Sequence, residues 1–144
     1  MGLFTVTLPV DHEKVVAAIA EAERQTSGEI RVLVARGKAD EPLDAARAQF
    51  QRLEMFRTQA RNGVLIFLAP ASRTFAIIGD TGVHERCGPI FWEEVARAME
   101  NRFKAADFTG GLVEGIRRAG GLLAEHFPRR PDDRNELPNA IEEL

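Results

Sequence analysis

Polar side chains that could carry chemistry fall at three separate points along the chain. They are Glu29, Arg61, Asn62, Asp80, Thr81 and His84. The carboxylates could exchange protons or hold a cation, whereas Arg61 could bind an anion or pair with Asp80. Because these charges are mixed, an anion or a polar partner suits them at least as well as a metal ion. We treat the six as candidate ligand-binding residues and assign neither a catalytic residue nor a metal ligand.

Two short motifs in the same region have simpler explanations. Asp80-Thr81-Gly82 is the triplet of aspartic proteases, but that chemistry needs two carboxylates that share a proton. The glycines around Asp80 already explain a turn. His84 and Cys87 have the spacing of metal ligands, yet a closed zinc site needs four ligands and the other histidines lie on distant elements. A nucleophilic pair of these two side chains lacks a third group to orient it.

Three predicted strands bring the three points together. Segments 29–35 and 64–69 are apolar on both faces, which is typical of central strands. The helix predicted between them makes them parallel. Residues 70–73 are too few for a parallel crossover, so segment 64–69 forms an antiparallel hairpin with segment 74–78. Two strand starts and one strand end then share an edge of the sheet, where we expect the six polar residues to line one cleft.

The remaining elements complete a mixed four-stranded sheet covered by four helices, an α/β fold. In segment 4–8, Phe4, Val6 and Leu8 alternate with threonines, which predicts a half-buried strand, and Pro9 favours a sheet edge. The expected helix starts are Asp11, Asp40, the pair Gly88-Pro89, and Thr109. The last helix carries several glycines, each costing up to ~1 kcal/mol against alanine, which favours tight packing within the molecule over a dimer contact.

The composition is that of one globular domain. The chain has 144 residues, of which 44% are hydrophobic and 28% charged, with a net charge of -3. This balance excludes a disordered chain and lacks the basic excess of a nucleic-acid binder. One cysteine excludes an internal disulfide. We expect a domain over residues 1–127 and a flexible acidic tail over residues 128–144, whose five carboxylates outnumber its three arginines.

Sequence signals for export or membrane insertion are not seen. The N-terminus has no basic apolar leader, and no apolar run approaches the ~20 residues that span a bilayer. We therefore expect a cytoplasmic protein without membrane insertion. Its partner, a protein or a small molecule, is not identified by the sequence.

Three stretches together resemble the TPM domain family, which is named for thylakoid-lumen, photosystem II repair and acetylcholine-receptor-modulator proteins. The stretches are Thr26-Ser27-Gly28-Glu29-Ile30-Arg31-Val32; Arg61-Asn62-Gly63-Val64-Leu65-Ile66 with Ser72-Arg73; and Gly79-Asp80-Thr81-Gly82-Val83-His84 with Phe103, Phe108-Thr109, Gly111-Leu112 and Gly115-Ile116. The resemblance extends over residues 10–127 and implies a three-layer α/β/α sandwich with a four-stranded sheet, in a soluble, bacterial-like member.

The resemblance supports two hypotheses about function. Plant members of the family are associated with acid phosphatase activity and calcium binding. This implies a metal-dependent acid phosphatase acting on phosphomonoesters, with Ca²⁺ or Mg²⁺ as cofactor. The chain departs from the family pattern at Arg61, where Asp is frequent, and at His84, where Glu is frequent. We therefore favour a non-enzymatic or weakly active module that binds a ligand or partner. A third hypothesis, a partner docked on the acidic tail, predicts lost association after deletion from Pro128.

Overall fold

A computed structural model describes residues 9–130 and 141–143 of the chain, which contain both helices and strands. The helices are α1 (His12–Glu23), α2 (Pro42–Arg52), α3 (Thr81–Cys87), α4 (Ile90–Lys104) and α5 (Phe108–His126). The strands are β1 (Glu29–Val34), β2 (Gly63–Ala69), β3 (Thr74–Gly79) and β4 (Ile141–Glu143). The predicted strand over residues 4–8 lies outside the described residues.

The mixed sheet is built on three strands in the order β3-β2-β1, and the short β4 is added beyond β1. β1 and β2 are parallel, from Glu29 opposite Gly63 to Val34 opposite Leu68. β2 and β3 are antiparallel. The α/β class, the parallel pair and the hairpin that turns at Pro70 are therefore confirmed.

The strand beyond β1 comes from a segment where the sequence predicts none. Ile141–Glu143 pairs parallel with β1, and Val32 lies opposite Ile141. Ile141 is half-buried and packs against the core, within the segment that the sequence analysis assigns to a tail. Three residues are too few to show an alternating pattern, so the strand arises from the open edge of β1 and not from a local signal. The flexibility of residues 128–144 stays a prediction.

Buried apolar side chains form two clusters, one on each face of the sheet. Neighbouring residues of β1 divide between them, with Val32 in the first cluster and Leu33 in the second, and β2 divides in the same way. The first cluster includes the apolar faces of α1, α4 and α5, and the second includes that of α2. Burial on both faces explains why these two strands are apolar throughout.

The helix starts agree with prediction in part. Asp11 caps α1 as expected, since its side chain accepts a hydrogen bond from the Lys14 amide at 3.2 Å. The predicted caps Asp40 and Thr109 are wrong. Glu41, and not Asp40, precedes α2 and makes no side-chain cap hydrogen bond, and Pro42 stands in the first turn, where its fixed φ suits a helix start. Asp107 caps α5, and the Thr109 hydroxyl instead accepts from the Asp11 amide at 2.9 Å.

A short helix, α3, replaces a predicted loop, so the described residues hold five helices and not four. Its cap is Asp80, and its one buried side chain, Val83, is fully enclosed by the first cluster. Gly88 ends it at φ 70°, and Pro89 begins α4 as predicted. The glycines of this stretch indicate a turn when they are read locally, but burial of Val83 gives the helix its tertiary support.

Candidate functional site

Backbone hydrogen bonds bring the three polar segments to one edge of the sheet. The Glu29 amide donates to the Asn62 carbonyl at 3.3 Å, which joins the start of β1 to the start of β2. The Asp80 amide donates to the Gly63 carbonyl at 2.9 Å, which joins the end of β3 to the same place. The predicted juxtaposition of the three segments is therefore present. That all six residues line one cleft stays a prediction.

The centre of this edge is a bidentate ion pair between Arg61 and Asp80. Arg61 Nε lies 2.7 Å from Asp80 Oδ2, and Nη2 lies 2.9 Å from Oδ1. The Asp80 side chain is 4% exposed and that of Arg61 is 48% exposed. The hydrogen bond to Asp80 raises the pKa of the Arg61 guanidinium, which therefore stays charged at physiological pH. Two parallel bonds also fix the orientation of both side chains.

Asp80 also organises the start of α3. Its Oδ1 accepts from the Thr81 amide at 2.8 Å, and its carbonyl accepts from the amides of Val83 and His84. The Gly82 amide donates to the Arg61 carbonyl at 2.9 Å. The N–H of Gly82 is therefore used within the protein and does not face a ligand.

Gly82 is required by a close backbone approach. A Cβ at this position would lie 2.2 Å from the Ala60 carbonyl oxygen and 2.7 Å from that of Arg61. Neither backbone oxygen can move aside cheaply, so only glycine lets α3 begin against this loop. Arg61 itself has a φ of 51°, in the left-handed region that non-glycine residues rarely adopt. The ion pair with Asp80 helps to hold that conformation.

Asn62 is 1% exposed, and the hydrogen-bonding capacity of its side-chain amide is only partly used. Its Nδ2 lies 3.4 Å from Ser27 Oγ, whereas its Oδ1 has no hydrogen-bond partner among the described residues. Exchanging the two amide atoms would give the oxygen a donor and would leave the nitrogen unpaired instead. A buried unpaired polar atom costs about 1–3 kcal/mol. A bound polar group, or an ordered water, that paired with Asn62 would recover that free energy.

Glu29 belongs to a second, buried group of charges. Its side chain is 2% exposed, and Glu23 nearby is 7% exposed. Burial raises the pKa of Glu23 to about 7; a hydrogen bond from the Ile30 amide lowers it, the Glu29 carboxylate raises it and Arg129 lowers it. Sequence reasoning missed Glu23. Its spacing of four from Ile19, and of eight from Val15, places it on the apolar face of α1 and is the signal that could have revealed it.

Thr81 and His84 lie on the exposed side of α3. The His84 ring packs edge-on against Trp92, with the ring centroids 6.0 Å apart. Burial, with a smaller effect of Glu125, raises the pKa of the Cys87 thiol. A nucleophilic cysteine needs the opposite shift, so the geometry does not favour a cysteine-histidine nucleophile here.

The donor set does not fit the Ca²⁺ or Mg²⁺ that the family resemblance implies. Calcium takes six to eight oxygen ligands. Both oxygens of Asp80 already accept hydrogen bonds from Arg61, whose charge would repel a cation. Within residues 9–130 and 141–143, no three His, Cys, Asp or Glu side chains are grouped so that they could hold a metal ion.

Together, the fold and this edge define a small mixed α/β domain whose polar site lies where a parallel strand pair meets the end of a hairpin. The model of the TPM domain matches residues 5–122. The chain therefore belongs to the TPM domain family. No curated protein matches the chain.

Solved structures show the same fold. The BA42 protein from the psychrophilic bacterium Bizionia argentinensis is 38% identical, with a TM-score of 0.89, over 97% of this chain and 99% of that one. The N-terminal domain of a P. gingivalis protein is 18% identical, with a TM-score of 0.63, over 79% of this chain and 76% of that one. The N-terminal domain of cg2496 from Corynebacterium glutamicum is 15% identical, with a TM-score of 0.62, over 92% and 77%. These last two likenesses concern the fold alone.

Membrane-spanning character is absent from the helices of the described residues. None of them is both long enough and apolar enough to cross a bilayer.

Proposed function

We propose that this chain is a TPM-domain binding module, non-enzymatic or weakly active, that takes a small anionic or polar ligand, or a polar partner, at the Arg61–Asp80 edge. The three-layer α/β/α arrangement is part of the proposal. The two apolar clusters on opposite faces of the sheet support it. A cytoplasmic location is part of the proposal, and cell fractionation tests it.

One observation carries the proposal: the Asp80 carboxylate is fully engaged inside the protein. Both of its oxygens accept hydrogen bonds from Arg61, and Oδ1 also accepts from the Thr81 amide. A phosphatase of the metal-dependent type needs carboxylate oxygens free to bind a cation. Asp80 would have to release Arg61 first, which leaves binding as the activity that the geometry favours.

The class of ligand follows from what is left to bind it. About half of the Arg61 side chain is exposed and can offer N–H groups to an anion. At the same edge Asn62 has one amide atom without a partner among the described residues, an acceptor as it is placed and a donor if the amide is turned over. Thr81 adds an exposed hydroxyl, which both donates and accepts hydrogen bonds. These groups match an oxyanion or a polar peptide group better than a cation.

Titration with inorganic phosphate, followed by NMR, tests binding. We expect saturable shifts of the Arg61 Nε–H and Asn62 side-chain signals in the wild-type protein, and their loss in Arg61→Lys, which keeps the charge but not the bidentate fork. Arg57→Lys is the matched control, because Arg57 is 68% exposed and pairs with Glu54, three residues earlier on the chain. Shifts that persist unchanged in Arg61→Lys would contradict binding at this edge.

Turnover of a generic aryl phosphate, with and without Ca²⁺ or Mg²⁺, separates the two hypotheses. The binding module gives no metal-stimulated turnover in either the wild type or Asp80→Asn. Metal-stimulated turnover that Asp80→Asn abolishes would overturn the proposal and establish the phosphatase.

A further inference from the structure

The exposed part of the Arg61–Asp80 pair belongs to the arginine. The Asp80 side chain is 4% exposed, whereas that of Arg61 is 48% exposed. Both carboxylate oxygens face N–H groups of the guanidinium, Oδ2 at 2.7 Å from Nε and Oδ1 at 2.9 Å from Nη2. A dissolved cation therefore reaches this carboxylate only by displacing the guanidinium.

The backbone oxygens beside the pair are also engaged within the protein. The Arg61 carbonyl accepts from the Gly82 amide at 2.9 Å, and the Asp80 carbonyl accepts from the Val83 amide at 3.0 Å. Asp80 Oδ1 accepts from the Thr81 amide at 2.8 Å in addition to its bond from Arg61. A Ca²⁺ ion takes six to eight oxygen ligands, so it would have to compete with several of these hydrogen bonds at once.

The backbone of Arg61 has a conformation that suits other residue types better. Its φ of 51° lies in the left-handed region, which aspartate and asparagine adopt several-fold more readily than most side chains do. An arginine in this conformation needs a compensating contact. The bidentate bond to Asp80 supplies that contact, which indicates that the guanidinium itself is what this position requires.

We propose that Arg61 is a built-in replacement for a divalent cation at Asp80, so that the buried carboxylate is neutralised without Ca²⁺ or Mg²⁺. A tethered guanidinium is present at a high effective concentration, which a dissolved ion has to exceed. Arg61 therefore excludes divalent cations from this edge by its place and by its charge. The inference concerns cation selectivity and holds whether or not the edge binds an anion, so it is independent of the proposed function.

The same geometry predicts that Arg61→Asp turns exclusion into binding. An aspartate side chain ends about where Cδ of Arg61 lies, one bond of about 1.5 Å short of Nε. Because Nε lies 2.7 Å from Asp80 Oδ2, the introduced carboxylate oxygen lies about 4 Å or less from Asp80. Two oxygens at that separation both reach a Ca²⁺ ion at about 2.3–2.6 Å, and water supplies further ligands.

Titration with CaCl₂ and MgCl₂, followed by NMR, is the test. In the wild-type protein we expect no saturable shift of the Thr81 and Gly82 amides up to about 10 mM, ten times the Kd of weak calcium modules. In Arg61→Asp, Ca²⁺ shifts both amides and saturates within that range. Arg61→Asn is the matched control, because it has nearly the same shape and the same preference for positive φ but adds no carboxylate. It binds Ca²⁺ at least about tenfold more weakly than Arg61→Asp.

Thermal unfolding with and without Ca²⁺ gives a second readout, because a bound ion raises the midpoint of the folded state that binds it. Ca²⁺ raises the midpoint of Arg61→Asp and leaves those of the wild type and Arg61→Asn unchanged. Saturable Ca²⁺ or Mg²⁺ binding at the Thr81 and Gly82 amides of the wild type overturns the inference. An Arg61→Asp chain that Ca²⁺ neither folds nor stabilises overturns it as well. Failure of the wild type to bind phosphate, in contrast, overturns only the proposed function.

Discussion

Asp80 connects three parts of the candidate site: β2, Arg61 and the start of α3. Its backbone amide pairs β3 with β2, its side chain binds Arg61, and the same side chain caps α3. The carboxylate is buried while its guanidinium partner is half-exposed. Removal of either side chain therefore leaves a different defect: without Arg61 a buried charge is unpaired, and without Asp80 the helix cap is lost.

Two substitutions of Asp80 separate the ion pair from the cap. Asp80→Asn keeps an oxygen that can accept from Thr81 but loses the charge that binds Arg61. Asp80→Ala loses both. Because a lost cap costs about 1 kcal/mol, we expect Asp80→Ala to lower the free energy of unfolding by about that much more than Asp80→Asn does. Urea denaturation of the two variants measures the difference, and equal stabilities would show that the cap contributes nothing.

The sequence predicted that Arg61 and Asp80 meet, because topology alone brings their segments together. It could not predict which side of the sheet edge each side chain takes. Glu29 is buried near Glu23, and Asn62 is buried with an amide atom that has no partner in the described part of the chain. Such details depend on packing against α1 and on the residues around Ser27, which no local pattern encodes.

At the scale of elements, the glycines of α5 are explained by close helix packing. A Cβ on Gly111 would lie 2.3 Å from the Phe103 ring, and one on Gly115 would lie 2.4 Å from Met99 Sδ, both on α4. A Cβ on Gly120 would lie 2.7 Å from Ala22 on α1. Packing within the molecule, predicted from the sequence, is thus confirmed at these positions.

Gly111→Ala tests this packing. The Phe103 ring is 3% exposed and contacts the rings of Phe75 and Phe108, so it cannot move away from a new methyl group without strain. We expect a loss of about 1–3 kcal/mol of unfolding free energy. Gly121→Ala is the control, because its Cβ would meet nothing within 4 Å, and we expect it to stabilise by up to about 1 kcal/mol.

The expected cause can be checked by a double variant. Phe103→Leu frees space at the contact, so Gly111→Ala should cost less in that background than in the wild type. Additive effects measured by chemical denaturation would mean that the glycine is needed for some reason other than Phe103.

Helices and strands were predicted correctly where the apolar pattern was long. They were missed where contacts with distant parts of the chain determine the structure. The parallel pair and the hairpin follow from unbroken apolar runs and a short connection. In contrast, α3 forms because Val83 is buried, and Ile141–Glu143 becomes a strand because the edge of β1 is available. Asp40 is a good cap by residue type, but Pro42 sets the first turn of α2.

At the scale of the whole molecule, the junction of α1 and β1 ties the beginning of the domain to its end. The Glu23 carboxylate accepts from the Ile30 amide at 2.9 Å, and its backbone carbonyl accepts from Arg129 at 3.2 Å. The Ser27 amide donates to the Phe127 carbonyl at 2.9 Å, and the Thr26 hydroxyl donates to that carbonyl too. When the Glu23 carboxyl ionises, its charge therefore lies at the junction between the end of α1 and the end of α5.

Titration of Glu23 makes the stability of the whole domain depend on pH. Its pKa is about 7 in the fold, against 4.5 as the ordinary value, so between these two pH values the folded state binds more protons than the unfolded state. The free energy of unfolding must then fall as pH rises from about 4.5 through about 7 and level off above it. At 1.36 kcal/mol per pKa unit, the difference between these two pKa values corresponds to a change of about 3 kcal/mol in the free energy of unfolding.

Glu23→Gln isolates this contribution. Glutamine keeps an oxygen that can accept from the Ile30 amide but carries no charge at any pH. We therefore expect the variant to match the wild type near pH 4.5 and to be more stable than it above pH 7, by an amount that grows across the interval. Urea unfolding at several pH values measures the two curves. Parallel curves would show that Glu23 does not titrate in this range, and a variant that is less stable at high pH would show that the buried charge stabilises the junction, contrary to the desolvation argument.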